Sequence, residues 1–114
     1  MFNEVLIKDG QVEYRLFIRD IMYITKSDTH QLKIVSYRGT FLTTGTLIEW
    51  ESKSPSFVFC HRSIVVNLVN ILRIDRSVNK IYFFQKEEVS EECNVSRRER
   101  RKLLLDWSYY LGTD

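Results

Sequence analysis

Short runs of β-branched and aromatic residues recur along the chain, and polar or turn-forming residues separate them. Runs of roughly four to eight such residues are typical of β-strands. The sequence therefore predicts strands at positions 5–7, 12–17, 21–25, 31–37, 40–43, 57–60, 64–66, 71–74, 81–85 and about 88–95. Between them, Asp9-Gly10 is a favoured hairpin pair, and the segments 26–29 and 38–39 are expected to be turns.

Two segments have the start signals of helices. Thr46 and Glu49 have the capping-box spacing, and Ser96 and Glu99 repeat it. We expect one helix that starts at Thr46 and ends before Ser54-Pro55, and a second that runs from Ser96 to about Gly112. Their expected apolar residues are Leu47, Ile48 and Trp50 in the first helix, and Leu103, Leu104, Trp107 and Leu111 in the second. The predicted fold class is mainly β with two short helices.

Length and composition indicate one globular domain that covers residues 1–114. The chain is 44% hydrophobic and 28% charged, which excludes a disordered or collagen-like protein. We find neither a signal peptide nor an apolar run long enough to cross a membrane, so the expected compartment is the cytoplasm.

The charge distribution is more informative than the net charge of +2. Residues 1–57 carry seven basic and seven acidic side chains, whereas residues 58–114 carry ten basic and eight acidic ones. A basic block (Arg97, Arg98, Arg100, Arg101 and Lys102) begins where the second helix is expected to start. Cations there oppose the helix dipole, whereas free N–H groups beside arginines suit a phosphate. The alternative of a simple solvated helix face stays open.

The histidines and cysteines give no metal or catalytic motif. Cys60 and His61 are adjacent, so their side chains point apart in a strand, and no CxxC spacing accompanies them. We predict no metal, no cofactor and no enzyme activity. Cys60 lies among phenylalanines and is expected in the core, while a redox pair of Cys60 with Cys93 is an open alternative.

The segment 59–67 places His61, Arg62 and Ser63 among apolar residues. An arginine there must either pair internally or project outward at a bend. We expect Arg62 to project outward, and His61, Ser63 and Asn67 to form an internal hydrogen-bond network.

At this point the chain resembles the LytTR domain, the DNA-binding domain found mainly at the C-terminus of bacterial two-component response regulators. Four pieces carry the resemblance, in order: RDIMYITKSDTHQLKI at 19–34, GTLIEWES at 45–52, FVFCHRSIVVNLVNILRI at 57–74 and NVSRRERRKLL at 94–104. They cover almost the whole chain, and the central HRS-x-x-VN signature is specific.

The resemblance implies an elongated arrangement of short antiparallel sheets whose loops enter successive major grooves of double-stranded DNA. It implies base contacts by His30, Arg62 and Arg97. Phosphate contacts are then expected from Lys26, Arg98, Arg100, Arg101 and Lys102. Some relatives use cysteines like Cys60 and Cys93 for redox sensing. No receiver domain lies within this sequence, so the chain is expected to be either part of a longer regulator or a stand-alone member. In either case, two copies are expected to bind promoter repeats.

Two other functions compete with DNA binding. A protein-interaction module would use a strand edge or the cluster of Trp107, Tyr109 and Tyr110, which is otherwise a packed helix face. An RNA-binding sheet would expose aromatic residues such as Tyr82, Phe83 and Phe84 between basic ones.

Overall fold

The structure is a computed structural model that describes residues 3–28, 30–84 and 94–112. Its strands are β1 (Glu4–Asp9), β2 (Val12–Phe17), β3 (Ile21–Asp28), β4 (Gln31–Ser36), β5 (Gly39–Thr44), β6 (Phe57–His61), β7 (Ile64–Asn67), β8 (Ile71–Asp75) and β9 (Lys80–Phe83). Helix α1 (Leu47–Glu51) lies between β5 and β6, and α2 (Arg97–Tyr110) closes the described chain. Single 3₁₀ turns, Ile18–Asp20 and Leu68–Asn70, precede β3 and β8. The fold is mainly β with two helices, as predicted.

The strands form three antiparallel sheets. A central sheet has the order β5-β4-β3-β7-β6, and the hairpins β1–β2 and β8–β9 form two smaller sheets. The molecule measures 43 × 30 × 27 Å along its principal axes. An elongated set of short antiparallel sheets is therefore the observed architecture.

The central sheet is buried on both faces, which explains its long apolar runs. Successive residues of β3 enter different cores, since Tyr23 packs in one cluster and Ile24 in the other. The first cluster lies between the central sheet, the β8–β9 hairpin and α2, and includes Phe83 and Leu103. The second lies against the β1–β2 hairpin and α1, and includes Ile7. Alternation in a strand sends neighbours to opposite faces, so one strand serves two cores.

Both helices begin where their caps predict. The hydroxyl of Thr46 accepts a hydrogen bond from the Glu49 N–H at 3.2 Å, and Ser96 accepts one from the Glu99 N–H at 3.2 Å. One expectation about α1 is wrong, because Ile48 is 72% exposed while the flanking apolar residues of that helix are buried. A helix this short has room for only one buried stripe.

The structure differs from one predicted turn and describes only part of one predicted strand. The turn expected at 26–29 is wrong for residues 26–28, since β3 continues to Asp28, with Lys26 paired with Leu32 and Asp28 with Gln31. Thr29 lies outside the described residues. The predicted strand at about 88–95 falls mostly outside the described residues. Asn94 forms a single antiparallel bridge with Lys80.

The central sheet has two distinct ends. At the loop end, β3 is followed by β4 and β6 by β7, so both connections emerge there. At the opposite end, Tyr37 and Arg38 connect β4 to β5, and the two 3₁₀ turns pack together. Helix α2 begins near the loop end, beside β6, and its last residues lie at the opposite end, where Tyr110 lines a cleft with Val69.

Candidate nucleic-acid interface

The connection between β3 and β4 carries His30, the first predicted base-contacting residue. His30 lies in a turn and is exposed, and so is Lys26 near the end of β3. The flanking strands are paired up to Asp28 and Gln31. The structure thus presents an imidazole at the tip of a hairpin.

The connection between β6 and β7 carries Arg62, which is exposed as expected. The neighbouring His61 ring accepts a hydrogen bond at Nδ1 from the Ser63 N–H, at 3.1 Å. The Ser63 carbonyl in turn accepts from the Lys26 N–H at 3.2 Å and from the Thr25 hydroxyl at 3.1 Å. These bonds fix the short turn around Arg62 against β3, so the guanidinium is displayed from an ordered backbone.

Arg97 is the first residue of α2 and is exposed. The residue before it is held against the central sheet, because the Ser96 N–H donates to the Cys60 carbonyl at 3.0 Å. Cys60 is two residues from Arg62 in the same strand and turn. The start of α2 therefore lies beside the Arg62 turn.

The structure brings the three predicted base-contacting residues to the same end of the central sheet. The Ser63–Lys26 bond joins the Arg62 turn to β3, and the β3–β4 connection extends past it by about 7 Å, two strand residues. The Ser96–Cys60 bond joins Arg97 to the same turn. We call this surface the basic end, defined by Lys26, His30, Arg62, Arg97 and Arg98.

The predicted phosphate-contacting residues are not equivalent. Lys26, Arg98 and Arg101 are exposed. Arg100 is half-buried, and its Nη1 donates to the side-chain oxygen of Asn79 at 3.1 Å. Lys102 pairs with Asp106 at 3.1 Å, one helical turn further along. Arg100 is therefore held by an internal hydrogen bond to Asn79, and Asp106 partly neutralises the charge of Lys102.

The sequence reasoning missed the tip of the β8–β9 hairpin. Its Asn79 carbonyl accepts from the Val95 N–H at 2.9 Å, so the tip lies against the start of α2. Arg76, in this tip, is exposed and lies near the basic end. The signal was available, because Arg76 and Lys80 flank a short polar gap between two strand runs.

Acidic side chains lie near the basic end as well. Asp28 ends β3, Glu99 lies in the first turn of α2, and Asp75 precedes the hairpin tip. Hydrogen bonds from the hydroxyl and backbone N–H of Ser77 lower the pKa of Asp75 below its ordinary value, so this carboxylate stays charged. The surface is therefore basic in balance but also contains negative positions.

The expected network of His61, Ser63 and Asn67 is only half correct. His61 and Ser63 are bonded to one another, but Asn67 is fully buried and its carboxamide donates to the Ile18 and Ile21 carbonyls, at 2.9 Å each. Asn67 therefore joins the 3₁₀ turn before β3 to the sheet, away from the Arg62 turn.

Cys60 is a core residue, as expected, with no exposed surface. Its sulfur lies 3.6 Å from the Asn94 carbonyl oxygen and 3.8 Å from the Ile64 carbonyl oxygen. Cys93 lies outside the described residues, so the Cys60–Cys93 redox pair stays a prediction.

Neither a metal cluster nor a membrane helix is found in the described chain. Across residues 3–28, 30–84 and 94–112, no three His, Cys, Asp or Glu side chains are grouped to hold a metal ion. Within the same ranges, no helix has the length and apolarity needed to cross a bilayer. What the basic end offers chemically is multiple hydrogen-bond donors with positive charge.

The fold and this surface define a class: a β-sheet domain that presents basic groups from turns and from a helix start. Residues 13–106 match the LytTr DNA-binding domain family. Because the match covers most of the chain, the protein belongs to that family.

The fold is shared with a solved structure of the same family. The LytTr DNA-binding domain of a Bacillus cereus chain described as a methyl-accepting/DNA response regulator superposes with a TM-score of 0.75. The two are 21% identical, and the alignment covers 93% of this chain and 97% of the other. At this identity the comparison establishes the fold. No curated protein matches this chain.

Proposed function

We propose that this chain is the sequence-specific, double-stranded-DNA-binding output domain of a bacterial transcriptional regulator, and that residues 1–114 act as one domain. The observation that carries the proposal is the position of His30, Arg62 and Arg97. All three are exposed at the same end of the central sheet, on turns or a helix start fixed by backbone hydrogen bonds.

Base recognition is assigned to the two arginines and the histidine. A guanidinium donates two hydrogen bonds to guanine O6 and N7, a pattern that the major groove presents and the minor groove does not. Rigid mounting lowers the entropy lost on binding, and the bonds around Ser63 provide that rigidity at Arg62. His30, at the hairpin tip, contacts a different groove position because the β3–β4 connection extends beyond the Arg62 turn.

Phosphate contacts are assigned to Lys26, Arg98 and Arg101, with Arg100 and Lys102 as weaker contributors because each has an internal partner. These contacts set register and make affinity fall with salt. One domain of this size makes few contacts, so two copies on repeated half-sites provide the working affinity. The role is non-catalytic and is exercised in the bacterial cytoplasm. If the chain is part of a longer regulator, a receiver domain supplies the upstream signal.

The first experiment selects bound duplexes from a random pool and then titrates the enriched duplex, a scrambled duplex and single-stranded RNA at several salt concentrations. We expect enrichment of a repeated motif, preference for duplex DNA and a steep salt slope. Salt-insensitive or absent duplex binding would favour the protein-interaction module instead. Preferential RNA binding would favour the sheet-based alternative, although Phe83 is buried and Tyr82 lies under Arg73.

The groove assignment has its own test. Methylation of guanine N7 removes an acceptor in the major groove to which protein side chains donate, so interference mapping on the selected duplex reports where the major groove is entered. We expect two clusters of interference about one helical turn, roughly 10 base pairs, apart on one face of the duplex. A single cluster per bound domain would contradict entry into successive grooves while leaving DNA binding itself intact.

A further inference from the structure

A cleft of about 360 Å³ lies at the opposite end of the central sheet, away from the basic end. Its walls come from separate parts of the chain: the end of β2, the following 3₁₀ turn, the segment before β6 and the end of α2. Small-molecule sites in proteins have volumes of about 300–1,000 Å³, so this cleft is of ligand size.

The lining combines aromatic surface with two cations. Phe17, Pro55 and Tyr110 supply apolar walls, and Arg19 and Lys53 supply the charges, while no carboxylate is among the lining residues that the structure describes. The Arg19 guanidinium lies 4.8 Å from the centre of the Phe17 ring, and the Lys53 ammonium lies 5.2 Å from that of Trp50. These rings hold the two cations in place without neutralising them.

The two cations are available to a ligand. Arg19 and Lys53 form no ion pair with any residue among 3–28, 30–84 and 94–112, whereas the nearby Arg38 pairs with Asp20 at 3.5 Å. The Ser54 hydroxyl lies in the same wall, where its oxygen accepts from the Ser56 N–H at 3.2 Å and lies 2.9 Å from the Ser56 hydroxyl. When the Ser56 hydroxyl is the donor of that second bond, the Ser54 proton is left for a ligand. Concave aromatic walls with two unneutralised cations and a hydroxyl suit a ligand that has both an apolar part and an anionic group.

We propose that this cleft binds a small aromatic carboxylate. The carboxylate accepts hydrogen bonds from Arg19, Lys53 and the Ser54 hydroxyl, and the ring packs against Phe17, Pro55 and Tyr110. The volume favours a small molecule over a polypeptide segment, and the apolar walls favour a carboxylate with a ring over inorganic phosphate. The site is independent of DNA recognition, since it lies at the other end of the sheet.

The test uses phenylacetate and its uncharged analogue phenylacetamide, each titrated into the folded chain and followed by ¹H–¹⁵N correlation spectra. Phenylacetate should give saturable shifts at Ile18, Arg19 and Ser56, and phenylacetamide should bind at least roughly tenfold more weakly. Lys53→Ala and Arg19→Gln should each raise the dissociation constant by about tenfold or more. Lys53 is exposed, so its replacement leaves the fold intact.

Matched controls come from elsewhere in the chain. Lys8→Ala removes an exposed lysine of β1, and Arg73→Gln removes an arginine that also lies on an aromatic ring, Tyr82, outside the cleft. Both should leave the dissociation constant for phenylacetate within about twofold. Equal binding of phenylacetamide, shifts confined to the basic end, or no saturation at about 10 mM would each overturn the proposal. Binding of inorganic phosphate as tightly as phenylacetate would also overturn it.

Discussion

The side chains of Asn67 and Asn70 donate to the same oxygen. Both carboxamide nitrogens reach the Ile21 carbonyl, at 2.9 and 2.6 Å, and each makes a second bond, to Ile18 and Arg19 respectively. Both asparagines are buried. Together they bond the 3₁₀ turn before β3 to the segment that leads into β8, so they connect the central sheet to the β8–β9 hairpin.

Replacing either asparagine with alanine should destabilise the fold. Each change removes two buried hydrogen bonds: the Ile21 carbonyl keeps only the other asparagine as a side-chain donor, and the Ile18 or Arg19 carbonyl loses its bond from the replaced side chain. We expect a cost of about 1–3 kcal/mol of unfolding free energy. Asn67→Ala should cost at least as much as Asn70→Ala, since Asn67 also caps the following 3₁₀ turn through the Val69 N–H. Urea unfolding of both variants measures the loss. Gln11→Ala, at an exposed hairpin turn, is the control, and a loss as large there would contradict the assignment.

The features that the sequence predicted best are those determined by neighbours in the chain. The caps at Thr46 and Ser96 depend on a residue three positions away, and both helices begin where expected. The β1–β2 hairpin also follows from a local turn pair. The exposure of Arg62 was predictable because burying an arginine among apolar residues without a partner is strongly destabilising.

Features that depend on distant pairing were missed. The length of β3 depends on the residues of β4 opposite it, and the polar character of 26–28 therefore misled the turn prediction. Asn67 was placed in the wrong network because its partners are 46 and 49 positions away. The Arg100–Asn79 bond spans 21 positions, so no local pattern distinguished Arg100 from the neighbouring arginines.

Asp75 gives a pH-dependent prediction. Bonds from the Ser77 hydroxyl and N–H, the first of which is the largest cause, hold the pKa of Asp75 below its ordinary value of 3.8. A carboxylate whose pKa is lower in the folded state adds stability above pH 3.8 and loses it as pH falls through the folded value. Ser77→Ala should raise the pKa toward 3.8, as measured by NMR titration of the carboxyl carbon. An unchanged titration would contradict the role of the hydroxyl.

Asn79 has a backbone φ of 54°, a left-handed conformation that asparagine and glycine tolerate better than alanine. Asn79→Ala and Asn79→Gly both remove the bond to Arg100, so that loss cancels in their comparison. We expect the alanine variant to be less stable than the glycine variant by about 1 kcal/mol. Thermal and urea unfolding of the pair measure the difference. Equal stability would show that the backbone conformation carries no cost.

The internal bond of Arg100 predicts unequal effects within the basic block. Arg98→Ala and Arg101→Ala should each lower the slope of log affinity against log salt by about 0.9, the value for one phosphate contact. Arg100→Ala should lower the slope less and should also reduce unfolding stability, because it leaves Asn79 without its partner. Fluorescence anisotropy on the selected duplex measures the slopes. Arg38→Ala, at the opposite end of the central sheet, should leave the slope unchanged, and equal slopes for all three arginine variants would contradict the distinction.

The base-reading role of Arg62 and Arg97 predicts a loss of sequence preference as well as of affinity. Arg62→Ala and Arg97→Ala should each cost about 1–3 kcal/mol on the selected duplex and relax preference at one base pair. Competition binding with single-base-pair variants of that duplex measures both quantities. Arg38→Ala is the matched control, because Arg38 is an exposed turn arginine at the opposite end of the central sheet. If Arg62→Ala weakened every duplex equally, Arg62 would be a phosphate contact, since phosphate contacts carry no sequence information directly.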